Sequence, residues 1–229
     1  MTVLRCRGAT TDEFYGHPWR SQKNRAHPRR ANTAYTPGMD TTRSQIVAEL
    51  VPLITAKALR RGTFRLASGR EASFYLDAKQ VILDARGSML VGRAILEILR
   101  AHGPLPAAVG GMSIGADPVT SAVVTMAGVA GLDLRGFMVR KEPKDHGTKR
   151  YIEGPVAPGD KVVIVEDVTT TGGSSLLAID RAIEFGLVVE RVVTVIDRLA
   201  GAGDTLAARG IPLDAIVTIR DLGIEPDAT

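Results

Sequence analysis

Glu166 and Asp167 are adjacent carboxylates, and beginning three residues later Thr170, Thr171, Gly172, Gly173, Ser174 and Ser175 crowd hydroxyls and small residues together. A turn of that composition leading into a helix offers unpaired backbone N–H groups at the positive end of the helix dipole, which is a seat for phosphate. A carboxylate pair can accept from vicinal hydroxyls or share a hard cation such as Mg²⁺ with a substrate's phosphates; no His stands near enough to complete a dedicated cage. The bland alternative for the two acids is a cap or an ion pair. A ribose bearing a 5-phosphate answers both halves of the pattern. A second cluster is cationic: Arg140, Lys141, Lys144, Lys149 and Arg150, with His146-Gly147 among them. Such a run is either a solvated surface loop or a device that neutralises a departing pyrophosphate and excludes water from it.

These clusters need elements to hold them. Val162–Val165 is apolar without alternation and reads as a strand buried on both faces. Leu176, Ile179 and Ile183 then recur at helical spacing, and Gly186 is placed to end that helix. Upstream, Thr42 and Gln45 form a capping-box pattern before Ile46, Leu50 and Leu53, with Pro52 expected to kink or split the helix. Short β-like runs flank Ser68-Gly69 and are expected to form a small hairpin outside the main sheet. Thereafter "RGSMLVGRAILEILRAHG", "ADPVTSAVVTMAG" and a segment near Asp204–Arg209 read as helices, and "AAVGG", "RGFMVRK", "KVVIVED", "RVVTVID" and "AIVTI" as strands. The alternation implies an α/β fold built on a doubly wound, mainly parallel sheet. Ligands collect at the carboxyl ends of such strands. There lie "GGMSIGADP", "RKEPKDHGTKR", "EDVTTTGGSS" and "DRLAGAG", so the chemistry is expected on one rim.

The 229 residues, 45% apolar and 24% charged, suit one well-buried globular domain. The sequence pI is about 9.4, but the basic excess sits in Met1–Gly38, where seven Lys/Arg face only Asp12 and Glu13. That segment's net +5 leaves about −1 of the total +4 for the rest. The charge therefore does not argue for a nucleic-acid partner of the folded part. Residues 1–38 are expected to be a disordered basic extension. Residues 39–229 are expected to form a single domain, with a hood at about 60–80 and a core at about 81–222. The extension has no apolar stretch of the secretory kind, and Gly16, Pro18 and Pro28 break the amphipathic helix of a transit peptide. One cysteine, Cys6, excludes an internal disulfide and fits a reducing cytoplasm. No segment approaches the ~18 apolar residues of a membrane span. Neither GxxxxGK[ST] nor a GxGxxG after a strand is present, so the commoner phosphate-binding motifs do not apply.

"VVIVEDVTTTGG" resembles the phosphoribosyl-pyrophosphate (PRPP) motif of type I phosphoribosyltransferases. "RKEPKDHGTKR" is similar to the catalytic loop of orotate phosphoribosyltransferases, "GGMSIGADP" to their pyrophosphate-binding loop, and "FRLASGREASFY" to their N-terminal hood segment. The likeness runs from about Thr42 to Leu222. It implies the type I phosphoribosyltransferase fold and a reaction of orotate with PRPP, dependent on Mg²⁺ held mainly through PRPP. The products would be orotidine 5′-phosphate and pyrophosphate, in pyrimidine synthesis. It also implies a homodimer whose loop serves the neighbouring active site. By position, the resemblance gives the 5-phosphate to Thr170, Thr171, Gly172, Gly173 and Ser174, and the ribose hydroxyls to Glu166 and Asp167. Pyrophosphate falls to Arg140, Lys141, Lys144 and His146, and orotate to Arg198, Phe74, Tyr75 and Thr170. Lys144, His146 and Asp167 form the implied catalytic set. Simple core packing is the alternative for Phe74 and Tyr75.

Two departures stand out. Family members often carry lysines where Ala67 and Ile114 stand, and Lys79 or Lys149 is a candidate to compensate. A purine or uracil phosphoribosyltransferase shares the PRPP motif; the hood segment, the cation spacing and Arg198 discriminate against it. A PRPP-binding transcription regulator would need a DNA-binding domain before Thr42, which the polar extension does not supply.

Overall fold

Residues 42–65, 71–143 and 150–226 are described by the structure, a computed structural model. The expectations for residues 1–38, the Ser68-Gly69 turn, Ala67, Lys144, His146 and Lys149 lie outside the described residues. At the first helix, the Thr42 N–H donates to Gln45 Oε1 at 2.8 Å, the backward arm of the capping box. Helix α1 (Arg43–Lys57) follows and buries Ile46, Leu50 and Ile54. Of the kink or split expected at Pro52, the split does not occur: the helix runs on through it. Pro52 and Ala48, whose carbonyl loses its partner, are both exposed, so water can satisfy that group while the buried stripe holds the helix down.

Strands β1 (Leu59–Arg65) and β2 (Glu71–Leu76) pair antiparallel as a separate two-stranded sheet, the expected hood. A short helix α2 (Lys79–Ile82) leads from it to α3 (Ala85–Ala101), whose N-cap Asp84 accepts from the N–H groups of Arg86 and Gly87. The main sheet contains β3 (Ala108–Met112), β4 (Arg135–Val139), β5 (Ile152–Glu153), β6 (Lys161–Thr169), β7 (Val188–Asp197) and β8 (Leu213–Thr218). Its order is β5-β4-β3-β6-β7-β8, parallel except for β5, which runs antiparallel to β4. Helices α4 (Ala116–Val129), α5 (Gly173–Phe185) and α6 (Ala202–Ala207) complete the alternation. The two-residue β5 and the single-turn α2 are too short to show a period in the sequence.

Both faces of the sheet are covered, as the unbroken apolar strands require. Alternate residues of β6 serve the two cores. Val163 and Val165 pack with α1, α3 and α4, and Val162 and Ile164 pack with Ala178, Ile179 and Ala182 of α5. The strand order reverses between β3 and β6, which sets a crevice beyond their carboxyl ends.

Candidate active site

The acids open the crevice. They sit on β6 rather than in the loop after it, because pairing with β7 continues through Glu166↔Thr194, Val168↔Ile196 and Thr169↔Asp197 and keeps the chain extended. The pleat then sends consecutive side chains to opposite faces. Glu166 turns to the α5 side, where it is buried and Ser175 Oγ donates to its Oε2 at 3.2 Å. Burial, and then the Asp167 charge, push the Glu166 carboxyl up to about 7; Ser175 and the Lys141 charge pull the other way. Asp167 turns to the α4 side. Its Oδ2 is 3.8 Å from Lys79 Nζ, and its Oδ1 accepts from the Val168 N–H at 2.9 Å. Gly115 makes room for it: a Cβ there would stand 2.8 Å from Asp167 Oδ1.

Downstream, Thr170, Thr171, Gly173 and Ser174 are exposed and line, with Glu166 and Gly172, a cleft of about 280 Å³. Gly172 holds the N-cap of α5 at φ +84, a left-handed turn that aims the first N–H groups of α5 into the cleft. The β6 and β7 ends are tied together there. Thr169 Oγ1 donates to Asp197 Oδ1 at 3.2 Å, the Leu199 N–H donates to the same oxygen at 2.9 Å, and the Arg198 N–H donates to Thr169 O at 3.0 Å. Asp197 thus shapes the turn that presents Arg198.

The Arg198 guanidinium lies 4.8 Å over the centroid of buried Phe74, and its Nε–H is buried without a partner among the described residues. An unsatisfied buried donor costs about 1–3 kcal/mol, so the arrangement invites a carboxylate. Tyr75, one residue on, is about half exposed and packs 5.9 Å from Phe64. The two aromatics therefore part: Phe74 joins the core beneath Arg198, and Tyr75 stays on the hood surface.

The cationic arm leaves β4. Arg140 and Lys141 line a second cleft of about 420 Å³ with Ser113, Ile114 and Met138. The Ser113 N–H donates to Val139 O at 2.8 Å and Ser113 Oγ donates to Asp117 Oδ1 at 2.9 Å, which holds the glycine-rich turn beside that arm. Ile114 is exposed at the place where the resemblance leads one to expect a lysine. Lys79 supplies a cation on the Asp167 side: Asp77 lies 2.8 Å from its Nζ, and that hydrogen bond holds its ammonium charged to higher pH than usual. Among the described residues no three of His, Cys, Asp and Glu converge. Because the two acids turn to opposite faces and Glu166 is buried, Asp167 is the one of the pair open to a hard cation, which suits an ion carried largely by substrate oxygens rather than a protein cage. Arg181, which no motif flagged, donates to the Arg140 and Lys141 carbonyls.

No protein-family model matches the chain. The orotate phosphoribosyltransferase of Rhodopirellula baltica is 53% identical over 184 residues, covering 79% of this chain and 95% of that protein. That of Thermosynechococcus vestitus is 44% identical over 185 residues, covering 80% and 96%. Among solved structures, the Mycobacterium tuberculosis orotate phosphoribosyltransferase in complex with PRPP matches at TM-score 0.67 and 34% identity, covering 78% of this chain and 99% of that one. The same enzyme in complex with Fe(III) dicitrate gives TM-score 0.70 and 37% identity, with the same coverage.

Proposed function

Since this chain belongs to the orotate phosphoribosyltransferase family and transfers the 5-phosphoribosyl group of PRPP to orotate, we propose that transfer takes place across the β3–β6 crevice by the following division of labour. The 5-phosphate seats on Thr170, Thr171, Gly172, Gly173 and Ser174 at the N-terminus of α5. Asp167 accepts from a ribose hydroxyl; Glu166, half protonated near neutral pH, faces the same ligand from the α5 side. Arg140 and Lys141, with Lys144 and His146 beyond the described residues, take the pyrophosphate. Orotate lies by Arg198 and Thr170, with its carboxylate on the guanidinium fork, a match of planar donors to a planar acceptor. Phe74 backs that guanidinium, and Tyr75 borders the base from the hood.

The ring nitrogen of orotate, its proton already released to solvent, attacks C1 of the ribose with its lone pair as the C1–oxygen bond breaks and pyrophosphate leaves with that electron pair. The protein's work is to align the two reactants and to stabilise charge on the leaving group. Asp167 would be the protein's contact for a Mg²⁺ ion carried by PRPP, and such an ion would supply further charge neutralisation. We assign residues 39–229 to one phosphoribosyltransferase domain and 1–38 to an extension outside it. We also assign the enzyme to the cytoplasm as a homodimer with the 140–150 arm acting on the neighbour's site; the single cysteine supports the compartment.

The observation that carries the base assignment is Arg198 stacked on Phe74 with a donor unpaired. Offering orotate, uracil, hypoxanthine and adenine in parallel with PRPP and Mg²⁺ tests it. Orotate absorbance is expected to fall while the other bases persist; consumption of a base lacking the carboxylate would refute the assignment.

A further inference from the structure

We infer that Arg181 is a positioning residue for the reaction: it holds the backbone from which Arg140 and Lys141 reach the pyrophosphate, and it ties that arm to the helix that seats the 5-phosphate. Arg181 lies on α5, and its Nη1 donates to the Arg140 carbonyl. Its Nη2 donates to the Lys141 carbonyl at 2.8 Å. The guanidinium carbon stands 4.1 Å over the centroid of Tyr151, on the returning side of the same arm. The two sides are already joined there, because the Arg140 N–H donates to Tyr151 O at 2.8 Å. One planar group therefore grips the departing chain by two successive carbonyls and the returning chain by a ring. Only a guanidinium offers that fork and that stacking face together.

The acceptors matter. Among the described residues Arg181 makes no ion pair, so its charge is not cancelled by an acid and adds to the field around the pyrophosphate cations. Its helix begins at the proposed phosphate seat, and Gly173 and Arg181 are eight residues apart, about 12 Å along the axis. The helix thus couples the root of the arm, which serves the neighbouring site in the proposed dimer, to the phosphate seat of its own chain. An arm that drifts by about 1 Å is enough to lower the rate of an aligned reaction strongly.

The inference rests on the proposed pyrophosphate role of Lys141, so the test carries Lys141→Ala beside Arg181→Met and Arg181→Lys in the full chain. Calorimetric titration of the free enzyme with inorganic pyrophosphate is the direct readout, with KM for PRPP and for orotate and the melting temperature alongside. Arg181→Met keeps an apolar stem over Tyr151 and removes every donor. It is expected to weaken pyrophosphate binding and raise the PRPP KM, each about tenfold, with the orotate KM and melting temperature nearly unchanged. Arg181→Lys, which keeps the charge but gathers its donors on one nitrogen without the planar fork, is expected to recover part of the loss, and it supplies the measurement if Arg181→Met does not fold. Pyrophosphate binding that is normal in both Arg181 variants but lost in Lys141→Ala would overturn the inference alone. Normal binding in Lys141→Ala would overturn the role of Lys141 and the inference with it. A fall in melting temperature with both KM values raised together would make Arg181 a structural residue only.

Discussion

Glu166 and Asp167 are consecutive on β6 yet serve opposite faces of the sheet, the first beneath Ser175 of α5 and the second 3.8 Å from Lys79 on the α4 side. They are therefore two carboxylates in two environments, and only one of them carries a large cost of burial. Substitutions at the two positions should separate accordingly.

At Glu166 the folded-state pKa, about 7, stands above the ordinary value of 4.5. The folded protein keeps a proton that the unfolded chain releases, so stability falls as pH rises from about 4.5 to about 7 and is flat above. Glu166→Gln mimics the neutral form and escapes that loss. Its melting temperature is expected to match the parent at about pH 4 and to exceed it by several degrees at about pH 8. The underlying difference is on the order of 3 kcal/mol at most. Parallel melting curves across that range would show that Glu166 is ionised throughout.

Asp167→Asn tests the other face. The amide oxygen can still accept from the Val168 N–H, and the 3.8 Å contact with half-exposed Lys79 is worth little. The fold should survive. Loss of the charge proposed to face the ribose should lower kcat/KM for PRPP by about 10–100-fold, or roughly 1.4–2.8 kcal/mol. Unchanged kinetics with a lowered melting temperature would make Asp167 a structural residue.

That contrast marks what could be read from residues alone. The apolar run 162–165, the glycine-and-threonine turn and the period of Leu176 and Ile179 were enough for strand, loop and helix, because each signal is local. The facing of Glu166 and Asp167 was not, because it depends on how far pairing with β7 carries β6 past Val165. Nor was Arg181, whose partners are backbone carbonyls forty positions away and carry no side-chain identity to recognise. Phe74 and Tyr75 looked equivalent as an aromatic pair; only the pleat of β2 decides that one meets Arg198 and the other Phe64.

Arg198→Lys should raise the orotate KM at least about tenfold while leaving the PRPP KM nearly unchanged. An ammonium keeps the charge but loses the planar fork and the flat face against Phe74. Initial rates with each substrate varied in turn are the check. An equal rise in both KM values would mean that Arg198 shapes the β6–β7 turn rather than meeting the base.

Removing residues 1–38 should leave kcat/KM and the melting temperature close to those of the full chain. The described helix α1 begins at its own cap, with Thr42 and Gln45 bonded to each other. The segment also carries the basic excess without a helical or strand period to bury. Loss of soluble protein on truncation would show that the extension docks on the domain.

The proposed homodimer is tested by mixing Lys144→Ala with Asp167→Asn, each expected to keep at most about a tenth of the parent activity alone at low PRPP. If the 140–150 arm acts on the neighbouring subunit, the two substitutions damage different halves of a composite site. A hybrid dimer then holds one site with both lesions and one with neither. Random exchange makes half of the dimers hybrids, so roughly a quarter of the parent activity should return if the sites are independent. Exchange itself is followed by tagging one variant and recovering the other with it. Arg181 gives the outcome a second arm, because it grips the root of the arm in its own chain. Arg181→Met should therefore complement Asp167→Asn as Lys144→Ala does, and should fail to complement Lys144→Ala. No recovery in any mixture, with exchange demonstrated, would mean that each arm serves the subunit that carries it.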